Sequence, residues 1–287
     1  SLVGSEMCIR DRLLGGVPVG GDSPIKKVNV LEEDFGLDIP IESVPLPSKG
    51  LIYPIDSPVY GKETLEIRPM TAKEEDILTS RALIKKGTVL TELMKSCLVD
   101  KNIDPDMLIS GDRNALMIAL RITGYGSDYT VDVDCPACGA SNKNEFDLSE
   151  LAIKRLEVSP VAEGANLFEI QLPVTKKSAQ VKFLTGHDEQ DITQTAARKK
   201  KQGLQKNDTK ITDRLIRSIV AVEDIRDKNK IGVFVRNMPA RDSLALRKFL
   251  DNYEPGIEMK AWMTCNSCHE HSEVRLPLGA SFFWPDA

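Results

Sequence analysis

Cys135-Pro-Ala-Cys138 and Cys265-Asn-Ser-Cys268 constrain this chain more than any other residues. Two cysteines two residues apart on a tight turn offer two thiolates to one edge of a metal ion, and a second pair completes a tetrahedron. The spacing inside each knuckle is therefore a metal signature. The 126 residues between Cys138 and Cys265 are far more than a compact ribbon needs. Setting the chain against itself explains that distance. At an offset of 130, Gly126-Ser-Asp-Tyr-Thr-Val-Asp-Val-Asp-Cys135 lies over Gly256-Ile-Glu-Met-Lys-Ala-Trp-Met-Thr-Cys265 without a gap, and Phe146 and Leu148 lie over Leu276 and Leu278. One four-cysteine site would then draw two ligands from each of two similar halves.

Weaker matches extend the repeat upstream with a drifting offset. Pro58-Val59 answers to Pro173-Val174, and Ile67-Arg-Pro-Met-Thr71 to Val181-Lys-Phe-Leu-Thr185. Leu90-Thr-Glu92 answers to Ile211-Thr-Asp213, Lys95-Ser96 to Arg217-Ser218, and Arg113-Asn-Ala-Leu116 to Arg241-Asp-Ser-Leu244. Their common order predicts a duplicated unit over about 57–148 and 172–278. The expected organisation is a first α+β unit at 57–150, a second at 165–279 and an aromatic tail at 280–287.

Residues 1–12 resemble translated adapter sequence and are set aside as a non-native scar, which removes Cys8 from the count. Four knuckle cysteines and Cys97 remain. With no export signal in view, paired CxxC favours metal over disulfides. A catalytic zinc keeps an open position, which four thiolates leave no room for, so the site reads as one structural Zn2+ per chain on Cys135, Cys138, Cys265 and Cys268. Redox dithiols are the competing reading. His269 and His271 have no counterparts after Cys138 and read as rim residues.

A length of 287 residues allows two domains with cores of their own. The 41% apolar and 28% charged content is that of a globular protein. A net charge of −5 gives no general attraction to nucleic acid or anionic lipid. No apolar run reaches the roughly 18 residues of a membrane span.

Residues 13–56 read as a flexible arm that ends in a proline-rich strap, Val44-Pro-Leu-Pro-Ser-Lys-Gly-Leu-Ile-Tyr-Pro54. Alternation over 58–68 suggests a hairpin. Thr71-Ala-Lys-Glu74 is a capping box opening a helix to about Lys86, closed by Gly87. Helices follow near 88–99 and 112–124, then strands 129–133 and 143–146 around the first knuckle. The second half predicts a hairpin from 167–172 and 179–184. Helices are expected near 187–202, 210–223 and 239–252, and strands at 257–263 and 272–276. The fold class expected is α+β, with two tandem units (hairpin, helices, β-knuckle) related by a pseudo-twofold axis at the cysteine site.

From Arg198 to Arg217 eight Lys or Arg stand against two Asp, without the interleaved aromatics of a nucleic-acid reader. This run reads as a solvated face or a dock for an acidic protein. Phe282-Phe-Trp-Pro285 must pack on the body or on a partner. Pro47-Ser-Lys-Gly50 lacks P-loop spacing and reads as a turn or docking strap. Cys97 falls on an apolar helix face and His187 at an exposed helix start. No catalytic residue or organic cofactor site emerges, so the chain is not expected to be an enzyme.

Leu46-Pro-Ser-Lys-Gly-Leu-Ile-Tyr-Pro54, Arg68-Pro-Met-Thr-Ala-Lys-Glu-Glu-Asp-Ile-Leu78 and the knuckles together resemble baseplate hub subunits of T4-like contractile-tailed phages, over roughly 44–287. The resemblance implies a structural or assembly role in the baseplate hub, with other hub or tail proteins as partners. It implies the host cytoplasm during assembly and the virion tail as locations. Self-association is left open; nucleic acid and membrane are not expected partners. The alternative is a zinc-ribbon adaptor that binds nucleic acid.

Overall fold

The computed structural model describes residues 28–29, 38–201, 209–278 and 280–283. Residues 1–12, most of the expected arm, the middle of the basic run and Trp284 lie outside the described residues.

Two short strands, β1 (Val28–Asn29) and β2 (Asp38–Ile39), pair with each other. The strap then departs from expectation. Its start is a strand, β3 (Glu42–Pro45), which pairs antiparallel with β4 (Thr64–Ile67), from Glu42↔Ile67 to Pro45↔Thr64. Residues 58–68 therefore form no hairpin of their own. Val44 and Leu46 bury their side chains along with Leu65 and Ile67, so the apolar face decides the pairing. Gly50 takes φ +70°, and a Cβ there would lie 2.5 Å from the Val59 carbonyl oxygen. Only glycine fits that turn.

The expected helix 72–86 is two helices, α1 (Ala72–Thr79) and α2 (Arg81–Lys86), parted by an extended Ser80. Gly87 closes α2 in the left-handed region, as the sequence predicts. Helix α3 (Val89–Cys97) buries Leu93, Met94 and Cys97. Its end returns to the β3–β4 pair, where Ile67 bridges Leu98 and the Arg68 amide donates to the Cys97 carbonyl at 2.9 Å. Helix α4 (Ser110–Tyr125) is buried over most of its surface, Asp112 and Arg121 included, and runs through the core. Ala115, Leu116, Ile118, Ala119 and Leu120 have no exposed surface.

The first knuckle lies between β5 (Asp128–Asp134) and β6 (Ser141–Asp147), and a short strand, β7 (Ile153–Lys154), follows. Next, β8 (Phe168–Gln171), β9 (Ser178–Val181) and β10 (Ile219–Val222) form an antiparallel sheet in the order β10-β9-β8. Helices α5 (Gly186–Lys201) and α6 (Lys210–Ser218) lie between β9 and β10. The expected helix 210–223 stops at Ser218 because Ile219-Val-Ala-Val222 is rich in β-branched residues and completes this sheet. Helix α7 (Lys228–Asn237) has no counterpart in the sequence reading. Asp227 caps it by accepting from the Lys230 amide at 2.9 Å, and Ile231 and Val235 bury its inner face. Helix α8 (Ala240–Tyr253) leads to β11 (Gly256–Ile257) and to the second knuckle between β12 (Lys260–Thr264) and β13 (His271–Arg275).

The N-terminal and C-terminal parts interlock. Strand β11 pairs with β7, Gly256 opposite Lys154. A Cβ on Gly111, in the first turn of α4, would lie 1.7 Å from the Pro255 carbonyl oxygen, so bare backbone crosses bare backbone there. The aromatic tail is interior as far as it is described. Phe282 is 1% exposed and packs edge-on to Tyr129 at 5.3 Å. The buried Arg121 donates to the carbonyls of Phe282, Gly126 and Asp128 at 2.8, 2.6 and 2.9 Å. Phe282 and Phe283 are thus core residues, so of the two settings expected for the tail, body or partner, these two side chains take the body.

Candidate metal centre and its supports

The two knuckles are the same turn. In the first, the Cys135 amide donates to the Ala140 carbonyl at 2.9 Å and the Gly139 amide to the Cys135 carbonyl at 2.8 Å. In the second, Cys265 donates to Glu270 at 3.0 Å and His269 to Cys265 at 2.9 Å. Gly139 and His269 both take a positive φ, 71° and 59°. His269 holds the place of a glycine, in a conformation histidine tolerates better than most residues. Its backbone, not its ring, answers to the first knuckle.

All four Sγ atoms lie within 4.8 Å of one another. Cys135 Sγ is 3.7 Å from Cys268 Sγ, and Cys138 Sγ is 3.6 Å from Cys265 Sγ. A tetrahedron with Zn–S near 2.3 Å has an edge of about 3.8 Å. A disulfide needs about 2.05 Å. The distances therefore fit a shared metal ion and are too long for disulfide bonds, and each close pair takes one cysteine from each knuckle. Cys135 and Cys265 are buried, Cys138 and Cys268 exposed. No histidine belongs to the group among the described residues. His271 is exposed and stacks on Trp262 with ring centres 5.0 Å apart, its Nδ1 3.2 Å from Thr264 Oγ1.

Backbone polarity suits thiolates here. The amides of Cys268 and Ser267 point at Cys265 Sγ and hold its thiol down to about 6. Cys268 receives the Glu270 amide, yet hydrogen bonds shared with Cys138, Cys265 and Cys135, together with burial, push it up to about 12. Four thiols in contact cannot all ionise unless a cation neutralises them.

Asn142 fastens one knuckle to the other, although nothing in the sequence marks it out. Buried on β6, its side-chain oxygen accepts from the Asn266 amide at 2.9 Å. Its nitrogen donates to the Ala140 carbonyl at 2.8 Å and reaches Cys265 Sγ at 3.5 Å. Ser272 lies at the 130-residue offset, so the alignment carried no signal.

Two pairs of buried carboxylates brace the rest. Glu74 accepts from Arg68 at 2.6 and 3.1 Å, from Ser96 Oγ at 2.5 Å, and from the Thr71 amide and hydroxyl. Burial opposes its charge, but the bonds from Arg68, Ser96 and Thr71 win and hold the carboxyl well below its ordinary range. Asp188 accepts from Lys182 at 2.6 Å and from the Thr185 amide and hydroxyl, and Arg217 lies 2.8 Å away. Asp112 on α4 accepts from the Ser48 amide, the Ser48 hydroxyl and the Tyr53 hydroxyl at 3.0, 2.5 and 2.6 Å. Asp242 on α8 accepts from the Val174 and Thr175 amides at 2.7 and 3.1 Å. Both loops contain a lysine in the left-handed region, Lys49 and Lys176.

These contacts adjust the sequence alignment. The Lys182 amide donates to the Ser218 carbonyl as Arg68 does to Cys97, so Ser218 matches Cys97 in role, not Ser96. Asp112 matches Asp242 at an offset of 130, where the sequence comparison had set Arg113 on Arg241. The Ser48 amide donates to Asp112 as the Val174 amide donates to Asp242, a contact that Pro58-Val59 does not make.

The other singled-out residues have ordinary settings. Cys97 is buried and its thiol is pushed up to about 12 by burial. His187 is exposed, 3.9 Å from Asp191. Three described members of the basic run face carboxylates of the same chain. Lys199 pairs with Asp213 at 2.8 Å, Arg214 with Glu189 at 2.8 Å, and Arg217 with Asp188 and Asp191. No described helix is long and apolar enough to cross a membrane.

A mixed α+β chain whose far-apart β-turns meet at four cysteines is held by its interior contacts and by one cysteine cluster. A family profile described as T4 bacteriophage base plate protein matches residues 51–284. That is most of the chain, which therefore belongs to this family of T4-like baseplate proteins. Curated proteins and solved structures give no match.

Proposed function

We propose that this chain is a non-enzymatic structural or assembly protein of the baseplate hub, acting through contacts with other baseplate or tail proteins. The family match over 51–284 carries this reading. It acts in the host cytoplasm during tail assembly and in the tail baseplate of the particle. A nucleic-acid adaptor role is disfavoured by the basic run, where Lys199, Arg214 and Arg217 are engaged by the chain's own carboxylates.

One structural zinc per chain, bound by Cys135, Cys138, Cys265 and Cys268, completes the reading. The matched Sγ distances of 3.6 and 3.7 Å support it. The halves are a tandem duplication, the second at about 165–279. The first starts near β3 instead of residue 57, because β3 pairs with β4. Paired anchors support this: Glu74 with Asp188, Asp112 with Asp242, Lys49 with Lys176 and the two knuckle turns.

A phage lacking the gene tests the role. Tails without an assembled baseplate centre, restored by the wild-type gene in trans, are expected; complete infectious tails without the gene would overturn the reading. Mass spectrometry of purified virions then separates a resident subunit from a departing assembly factor. Elemental analysis should give one zinc per chain, and none in Cys135→Ser.

A further inference from the structure

Each knuckle ribbon buries one face and exposes the other, and the two exposed faces differ in charge. On the first ribbon, Asp128, Asp132, Asp134, Glu145 and Asp147 point outward against a single cation, Lys143. On the second, Lys260 and Arg275 lie to one side of Trp262, Glu273 stands directly across from it, and Glu270 is exposed in the turn. Trp262 is 61% exposed. A tryptophan so exposed on regular structure, with His271 stacked behind it, is an anchor of the kind found at interface centres. Lys260 lies directly opposite Arg275 across the ladder. Like charges in that position repel unless an acidic surface covers them. Glu273 reaches Lys260 at 3.4 Å, and Arg275 forms no ion pair among the described residues.

The chain cannot bring these faces together itself. The buried sides of the ribbons face each other: Asn142 and Asn144 on β6 reach Cys265, just past β12, and Met263 on β12. The outward sides therefore point away from the seam in different directions. We propose that the Trp262 face of the second ribbon docks on the acidic face of the first ribbon in another copy of this chain, head to tail. The inference rests on reading the chain as an assembly protein that works by protein–protein contacts.

The contact is small. A five-residue strand is about 17 Å long, and two strands cover well under the area of a stable interface. The association is therefore weak and sensitive to salt. It gains strength where neighbouring copies are held close by an assembly. A head-to-tail contact of this kind closes into a ring when its rotation permits.

Sedimentation of the full zinc-loaded chain tests this. Average mass should rise with protein concentration at low salt, and association should weaken at least tenfold in about 0.5 M NaCl, where charges are screened within a few ångströms. One variant, Trp262→Ala with Arg275→Glu, breaks the aromatic face. A second, Asp128→Lys with Glu145→Lys, breaks the acidic face. All four positions are outside the core, so zinc content and melting should not change. Each variant alone should stay monomeric, and an equimolar mixture should form a mixed dimer, because one intact face of each kind remains. A monomeric wild type, a single variant that still associates, or a mixture that stays monomeric would overturn the proposal. Salt-sensitive quenching of Trp262 by a single-stranded oligonucleotide, with monomeric wild type, would assign the face to nucleic acid instead. Monomeric protein that still enters baseplates would refute the docking and leave the hub reading intact.

Discussion

Asp112→Ala should release the strap from the body of the protein. Asp112 is fully buried in the first turn of α4, and its carboxylate takes three hydrogen bonds from the strap, two from Ser48 and one from Tyr53. Tyr53 in turn accepts from the Ile109 amide at 3.1 Å. Alanine leaves an amide and two hydroxyls facing an empty pocket, with Ser48 at 0% and Tyr53 at 5% exposure. Hydrogen bonds to a charged group contribute about 1.5–3 kcal/mol each. Against this, burying the carboxylate is costly, and burial pushes its pKa up despite the bonds from Ser48 and Tyr53. Each neutral donor left buried without an acceptor costs about 1–3 kcal/mol, so three of them, less the relief of no longer burying a charge, cost about 3–5 kcal/mol on balance. That is a large part of a total stability of about 5–15 kcal/mol. Urea unfolding followed by circular dichroism gives the loss, and amide exchange at Ser48 reports the strap directly. Asp112→Asn keeps acceptor oxygen but sets an NH2 group against a donor, so it should fall between alanine and wild type. A loss under about 1 kcal/mol for alanine, with the Ser48 amide as protected as before, would refute the reasoning.

Gly50→Ala should cost at least about 2 kcal/mol in the same unfolding assay, since φ +70° and the 2.5 Å approach to Val59 both oppose a Cβ. Phe282→Ala should cost about 3–5 kcal/mol, read as a lower melting temperature; lost partner binding at unchanged stability would contradict its core placement. Cys265→Ser should lower zinc to zero per chain and cost several kcal/mol (roughly, because metal binding and folding are linked); wild-type melting and metal content would refute the shared site. Glu254 is pushed up to about 7 by burial from an ordinary 4.5, so the native state keeps a proton that the unfolded chain sheds. Its contribution is thus full below about pH 4.5 and is lost as pH rises through 7, by up to about 3 kcal/mol. Glu254→Gln should flatten that fall between urea midpoints at pH 5 and pH 8.

What was legible in the sequence was local. Thr71 with Glu74 and the Gly87 stop announced helix ends, and alternation around each knuckle announced its strands. The partner of β4 was not legible, because Glu42–Pro45 lies about twenty residues away across turns that only glycine and buried hydrogen bonds make possible. The end of α6 was misplaced because Ile219-Val-Ala-Val222 is apolar enough for a helix, and only the open edge of β9 turns it into a strand. Helix α7 was missed although Asp227, Ile231 and Val235 stand at capping and core spacing. The cysteine cluster was readable because its chemistry demands fixed spacing. Asp112 and Asn142 were not, since a buried polar side chain looks like a surface one until its partners arrive from distant segments.

The placement of the cysteines also accounts for how the two halves stay together. A lone two-stranded ribbon is marginal in water. Here the first ribbon buries little more than Tyr129, Val133 and Phe146, and the second Met263 and Val274. Neither has a core of its own, so each needs the other. Three ties join the N-terminal part, which carries the first ribbon, to the C-terminal part, which carries the second: the cysteine cluster, the β7–β11 pairing and the bare-backbone crossing of Gly111 with Pro255. Each takes one side from the N-terminal part and the other from the C-terminal part. Loosening any one of them strains the same seam, so the ribbons should separate as a unit and not fray one strand at a time.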